Sequence, residues 1–338
     1  MHCPVQLLPK DSAAVGTDYQ PKWYLRNGHL QTMLVPYTLK PESRFAVAAH
    51  QVPFGENSAT CLYESHPRSA PQSNQAILLL HGLAGSHASP YLVRIADHLT
   101  ALGHRVFRMD LPGCGPSITL SDLPAHAGCS DIIRRVMMWS SQHLGIARWR
   151  VAGFSLGGNI LLKMLAESRQ QAWSATVERA VVVAPPIDLA RCCDSIESRR
   201  NWLYNRFFVR MLRSAAHQRA SLWPRWQERF RLLHKPIRSI RDFDDQFTAP
   251  LIGFQDAAEY YDRCSSARIL DRITVPTEVL VDRSDPIVPV SIYEDAPWSD
   301  SCQVTVTKHG GHLGYLNHSR SEGLGCWMDH WVADHLLD

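Results

Sequence analysis

The segment Trp149-Arg-Val-Ala-Gly-Phe-Ser-Leu-Gly-Gly158 constrains this chain more than any other. Residues 149–152 form a short apolar run of strand character. Residues 156–166 carry apolar side chains at helical spacing. Only Gly153, Phe154 and Ser155 separate the two, so a strand must turn sharply into a helix with no room for a loop. The same rhythm recurs. Strands are expected at 76–80, 105–110, 180–184, 277–282 and 303–307, and helices at 91–102, 131–144 and 326–337. Gly103 fits the stop of the first of these helices, and Ser130 the N-cap of the second. Continuous apolar runs such as Ala76-Ile-Leu-Leu-Leu80 suit strands buried on both faces. Alternation of strand and helix predicts an α/β chain built on a doubly wound, mostly parallel sheet. Such sheets bind ligands beyond the carboxyl ends of their strands.

Two stretches break the rhythm. Residues 1 to about 70 contain Gly and Pro punctuation and no long periodic segment, and are read as an N-terminal arm. Residues 187 to about 273 are helix-like, aromatic and rich in Arg, and are read as a helical cap inserted over the sheet. The chain, 1–338, is thus expected to be one domain with an arm and a cap.

Composition excludes several classes. Hydrophobic residues make up 45% and the formal net charge is only +3, which is globular rather than disordered composition. The charge is also too small to suggest nucleic acid as the main partner. No apolar run of about 18 residues is present, and residues 1–20 lack the apolar core of a signal peptide. Nine Cys, an odd number without a C-x-x-C pair, suggest reduced thiols and a cytoplasmic location.

The net charge hides an asymmetry. Between Asp188 and Arg241 stand thirteen basic residues and four acidic ones, interleaved with Trp202, Tyr204, Phe207, Phe208, Trp223 and Trp226. This pattern fits a cap that meets acyl chains or an anionic lipid surface. It fits better with helices that pack aromatic rings inward under Arg stems. Both readings stay open.

Gly153-Phe-Ser-Leu-Gly157 is a Gly-x-Ser-x-Gly motif in the strand–turn–helix context that exposes a nucleophilic Ser155. The helix starting at Leu156 directs free N–H groups toward developing negative charge. An oxyanion needs two such donors. Leu156 N–H is the first candidate, and Leu83 N–H, in His81-Gly-Leu-Ala-Gly85 after the 76–80 strand, the second.

A serine hydroxyl also needs a base and an orienting acid. In this arrangement the chain order is Ser, acid, His. Asp285 and Asp282 compete for the acid. Asp285 is preferred because it lies on the loop beyond the 277–282 strand, with Pro286 fixing the turn. His309 and His312 compete for the base, and the glycines around His312 favour it. Read as a metal pair, the two His lack a third ligand at standard spacing, so no metal and no cofactor is expected.

These residues resemble the YheT-like group of α/β-hydrolases, bacterial counterparts of animal membrane-associated phospholipases and esterases. The matching pieces are Asn27-Gly-His-Leu-Gln-Thr32, His81-Gly82, Gly153-Phe-Ser-Leu-Gly-Gly158, Asp244-Asp-x-x-Thr-Ala-Pro250, Asp285-Pro286 and Gly310-Gly-His-x-Gly314. The resemblance runs from about residue 23 to 312. It implies an α/β-hydrolase fold and a triad of Ser155, Asp285 and His312. It also implies hydrolysis of small-molecule or lipid carboxylic esters, short-chain esters and monoacylglycerols among them. The membrane anchor of the animal relatives is not expected here. Asp285-Pro-Ile stands where relatives often carry Asp-Asp-Pro-Phe, which bears on pocket shape. Two other outcomes are carried forward. The same triad could transfer acyl groups to another acceptor or cleave amides, and the fold could serve a non-catalytic ligand-binding protein.

Overall fold

A computed structural model describes residues 19–39, 41, 43–67, 74–168, 176–319 and 323–338. Its centre is an eight-stranded sheet of β1 (Val47–Gly55), β2 (Ser58–Ser65), β3 (Gln75–Leu80), β4 (Val106–Met109), β5 (Arg148–Phe154), β6 (Thr176–Val183), β7 (Thr277–Asp282) and β8 (Cys302–Thr307), in the order β1-β2-β4-β3-β5-β6-β7-β8. The six strands from β4 to β8 along this order run parallel. β1 and β2 form an antiparallel hairpin on the β4 edge.

The sheet is covered on both faces, which explains the unbroken apolar runs. Successive residues of β3 point to opposite sides. Leu78 and Leu80 join Phe107, Val151 and Ile160 in one core. Ile77 and Leu79 join Ala152, Val181 and Leu280 in the other. Helices α3 (Ser130–Leu144) and α4 (Leu156–Glu167) supply the first core, and α2 (Pro90–Ala101) and α12 (Trp327–Leu337) the second. Fully burying one such Leu contributes roughly 1.5–3 kcal/mol, so a polar residue in β3 would break the sheet at its centre.

Helix α1 (Gly28–Thr38) precedes the sheet. Between β6 and β7 the chain forms α5 (Leu189–Glu197), α6 (Trp202–Ala220), α7 (Pro224–Arg231), α8 (Ile240–Phe243), α9 (Ala249–Leu251) and α10 (Ala257–Cys264). A π-helical turn, Asp244–Thr248, joins α8 to α9. The short α11 (Ser291–Glu294) follows β7.

Two local expectations change. Ser130 is not the cap of α3. Cys129 occupies that position, and Ser130 begins the helix with its hydroxyl donating to Glu167. The expected arm is also more regular than its punctuation suggests, for it holds α1 and the hairpin β1–β2. The exposed Leu30, Met33 and Leu34 blur the polar face of α1, and β1 buries alternate residues only at Val52 and Phe54. Residues 1–18 lie outside the described ones.

Candidate active site

Parallel register brings the strand ends together. Leu80 of β3 pairs with Gly153 of β5, so the His81-Gly82 loop emerges beside Ser155. Ser155 takes φ 50° and ψ −121°, a conformation rarely adopted by a side-chain-bearing residue. Its N–H donates to Val183 O at 2.8 Å, which ties the strained turn to β6. The flanking glycines are required by close backbone. A Cβ on Gly153 would lie 2.6 Å from Gly157 O, and one on Gly157 would lie 2.5 Å from His81 O. Leu156 is the first residue of α4, where N–H groups have no partner within the helix.

The loop after β3 lies against the serine. A Cβ on Gly82 would be 3.0 Å from Ser155 Cβ. Leu83, the next residue, is half-buried against the core. His81 shapes this loop and has no nitrogen free for other chemistry. Its Nδ1 donates to Gly82 O at 2.7 Å, and its Nε2 accepts from Leu111 N–H at 3.0 Å. Burial pushes its pKa down, so the ring is held neutral. Tyr91 OH accepts from Gly82 N–H at 3.0 Å.

Ser155, His312 and Asp285 form one hydrogen-bonded chain. His312 Nε2 lies 3.0 Å from Ser155 Oγ, and His312 Nδ1 lies 2.8 Å from Asp285 Oδ2. The side chains of Asp285 and His312 are 2% and 9% exposed. Asp285 Oδ1 also accepts from Ile287 N–H at 2.7 Å and Val288 N–H at 2.9 Å. The two competitors lie elsewhere. Asp282 accepts from the Gly310 and Gly311 N–H groups and from the Thr307 and Ser284 hydroxyls. His309 is turned away, with Nδ1 donating to Arg26 O at 3.1 Å. Among the described residues no group of three or more His, Cys, Asp or Glu could hold a metal ion.

The polar 27–32 segment, whose place the sequence leaves open, supports the histidine loop. Asn27 caps α1 by accepting from His29 and Leu30 N–H. Thr32 Oγ1 accepts from His312 N–H at 2.9 Å and donates to Gly28 O at 2.7 Å. Gln31, fully buried, bonds the Leu316 N–H and carbonyl. Two further supports escaped the sequence reading. Asn201, just before α6, donates to Pro286 O at 2.7 Å, and Tyr204 OH meets His29 Nδ1 at 3.1 Å. Their only signal was an amide and a tyrosine within an arginine-rich stretch.

The α/β hydrolase fold family model matches residues 75–319, which spans β3 through the histidine loop. The chain belongs to the α/β hydrolase fold family. Among its relatives in that family is YheT of Escherichia coli (strain K12), a proposed esterase by its name. It is 28% identical over 293 residues, 86% of this chain and 84% of that one. Phospholipase ABHD3 of Homo sapiens is 24% identical over 328 residues, 93% of this chain and 75% of that one. Among solved structures, the esterase Pf2001 of Pyrococcus furiosus superposes with a TM-score of 0.54 at 14% identity, over 87% of this chain and 92% of that one. That likeness is one of fold.

In this α/β hydrolase the arginines of the helices between β6 and β7 fall into three groups. Arg219, 5% exposed, donates to Leu123 O and Gly113 O and lies 5.0 Å from the Trp226 ring centroid. Arg241 pairs with Asp194 and Glu197, and Lys235 with Asp242 and Asp245. Arg199, Arg200, Arg206, Arg210 and Arg213 are exposed and form no ion pair among the described residues. Trp202, Leu203 and Phe207 are exposed beside them. No helix of the described residues is long and apolar enough to cross a membrane.

Proposed function

We propose that this chain is a serine hydrolase of carboxylic esters that works through an acyl-enzyme on Ser155. The observation that carries the reading is the chain Ser155 Oγ–His312 Nε2–Nδ1–Asp285 Oδ2, with links of 3.0 and 2.8 Å. Relatives whose names describe an esterase and a phospholipase support the wider class, hydrolysis of esters.

The chemistry follows from the protonation pattern. Asp285 keeps the His312 proton on Nδ1, which leaves Nε2 a lone pair directed at Ser155. As Ser155 Oγ attacks the ester carbonyl, Nε2 takes its proton. The carbonyl oxygen becomes an oxyanion held by Leu156 N–H and Leu83 N–H. Removing one such donor typically costs about 10²–10³ in rate. His312 then gives its proton to the departing alcohol oxygen, leaving the acyl group on Ser155. Water, deprotonated by the same Nε2, attacks the acyl-enzyme, and His312 returns that proton to Ser155 Oγ as the C–Oγ bond breaks and the acid leaves. Every proton in the cycle passes through His312, so the residues need no metal or cofactor for it. The substrates proposed are small-molecule or lipid esters, including short-chain esters and monoacylglycerols.

The test is hydrolysis of p-nitrophenyl acetate, butyrate and octanoate by the wild type and by Ser155→Ala. A fall of at least about 10³-fold is expected for the variant. Equal rates would contradict the reading.

A further inference from the structure

A cleft of about 510 Å³ is walled by Asp285 but lined by neither Ser155 nor His312. Three separate segments meet there. Arg26 and His29 come from the start of α1, Ser198 and Arg200 from the turn between α5 and α6, and Arg283 and Ser284 from the loop after β7.

The charge of this cleft is unbalanced. Among the described residues Arg26, Arg200 and Arg283 form no ion pair with a carboxylate, although all three are exposed enough to reach one. Arg26 uses Nε on Pro21 O at 3.2 Å, which leaves its terminal N–H groups free to turn into the cleft. Asp285 is the one acid in the lining. Its carboxylate is 2% exposed and already accepts from His312, Ile287 and Val288. It offers the cleft little open charge. Three arginines line one cleft and none has a carboxylate partner among the described residues, so a multivalent anion would supply the missing counter-charge. Their planar forks match the oxygens of a phosphate, and the Ser198 hydroxyl can donate to a further one.

We propose that this cleft is a binding site for a phosphate group. Its volume leaves room beside a phosphate for an organic moiety, so the ligand proposed is a soluble phosphate ester or a lipid headgroup. The rim admits both sources. Trp23 is 80% exposed three residues before Arg26, and Trp202 and Leu203 are 55% and 56% exposed just after Arg200. The proposal does not rest on ester hydrolysis, because binding is read without turnover.

The experiment measures titration calorimetry with glycerol 3-phosphate and flotation with vesicles of phosphatidylglycerol or of phosphatidylcholine. It compares wild type, Arg200→Gln, Arg200→Gln/Arg283→Gln and Arg210→Gln/Arg213→Gln. The last variant removes the same charge from α6 outside the cleft. Saturable binding is expected, weakened roughly tenfold or more by the cleft double variant, less by the single one, and unchanged by the α6 double variant. Binding of glycerol 3-phosphate alone identifies a soluble ligand. Flotation with phosphatidylglycerol that glycerol 3-phosphate competes away identifies a headgroup. Both uphold the site. The single variant, at one exposed turn residue, keeps the test open if the double variant misfolds. Absence of saturable binding overturns the proposal, as does equal loss in the cleft and α6 double variants, which would mean general attraction to a basic surface.

Discussion

Asp282 and Asp285 stand three residues apart at the end of β7 and hold different parts of one histidine loop. Asp285 takes the ring of His312 at 2.8 Å, while Asp282 takes the Gly310 N–H at 2.7 Å and the Gly311 N–H at 3.2 Å. One carboxylate therefore sets the imidazole and the other sets the backbone that carries it. The two should fail differently when changed. Asp285→Asn keeps an oxygen for Ile287 and Val288 but turns an amide N–H₂ toward His312 Nδ1. The proton then moves to Nε2, away from the role proposed for it. A fall in kcat of about 10³–10⁴-fold is expected, with the melting temperature nearly unchanged. Asp282→Ala leaves two buried N–H groups unpaired. A stability loss on the order of 3 kcal/mol is expected in urea unfolding, together with reduced turnover.

Gly157→Ala tests the serine turn. The new Cβ would meet the His81 and Leu80 carbonyl oxygens, which are backbone and cannot swing aside. A loss of roughly 2–3 kcal/mol is expected, read as a lower urea midpoint. Full stability in this variant would contradict the close approach of the β3 loop to α4.

Asp244 gives a pH dependence of stability. It is buried in the π-helical turn with Tyr261 OH donating to it at 2.7 Å, and burial pushes its carboxyl up to about 6. Its folded pKa lies above its unfolded value. Its favourable contribution is therefore complete below about pH 4 and lost as pH rises through about 6. The loss is on the order of 2–3 kcal/mol. Asp244→Asn removes this slope while keeping an acceptor for Tyr261. Unfolding curves between pH 4 and 8 should show the variant gaining on the wild type as pH rises. A constant difference would show that Asp244 titrates normally.

Arg219 is the clamp between α6 and the loop after β4. Its guanidinium reaches the Leu123 and Gly113 carbonyls, while Trp223 and Trp226 donate to the Ile118 and Asp122 carbonyls beside it. Arg219→Ala should cost on the order of 3 kcal/mol and speed proteolysis within α6 and α7. Unchanged proteolysis would show that the two tryptophans suffice.

The parallel strands were legible because burial on both faces demands continuous apolar residues, as in Ala76-Ile-Leu-Leu-Leu80. The serine turn was legible because its glycines answer to backbone contacts that allow no side chain. The arm was not legible. Thr32 acts through one hydrogen bond to His312 and Gln31 through two to Leu316, some 280 residues away, and such bonds leave no periodicity. The place of Asp285 on the loop favours it over Asp282, but the part each plays in the histidine loop shows only in the fold. The charge of the 188–241 stretch was legible as a count but not as a pattern. Folding pairs Arg241 and Lys235 internally, buries Arg219 and leaves Arg200 at a cleft.

The central claim is that Ser155 carries the acyl group. It is tested most directly by intact-mass analysis of the wild type and Ser155→Ala after quenching turnover of p-nitrophenyl butyrate in acid. The account predicts a butyryl adduct on a single residue, Ser155, and none on the variant. Hydrolysis with no adduct on Ser155, by a variant as active as the wild type, would contradict it.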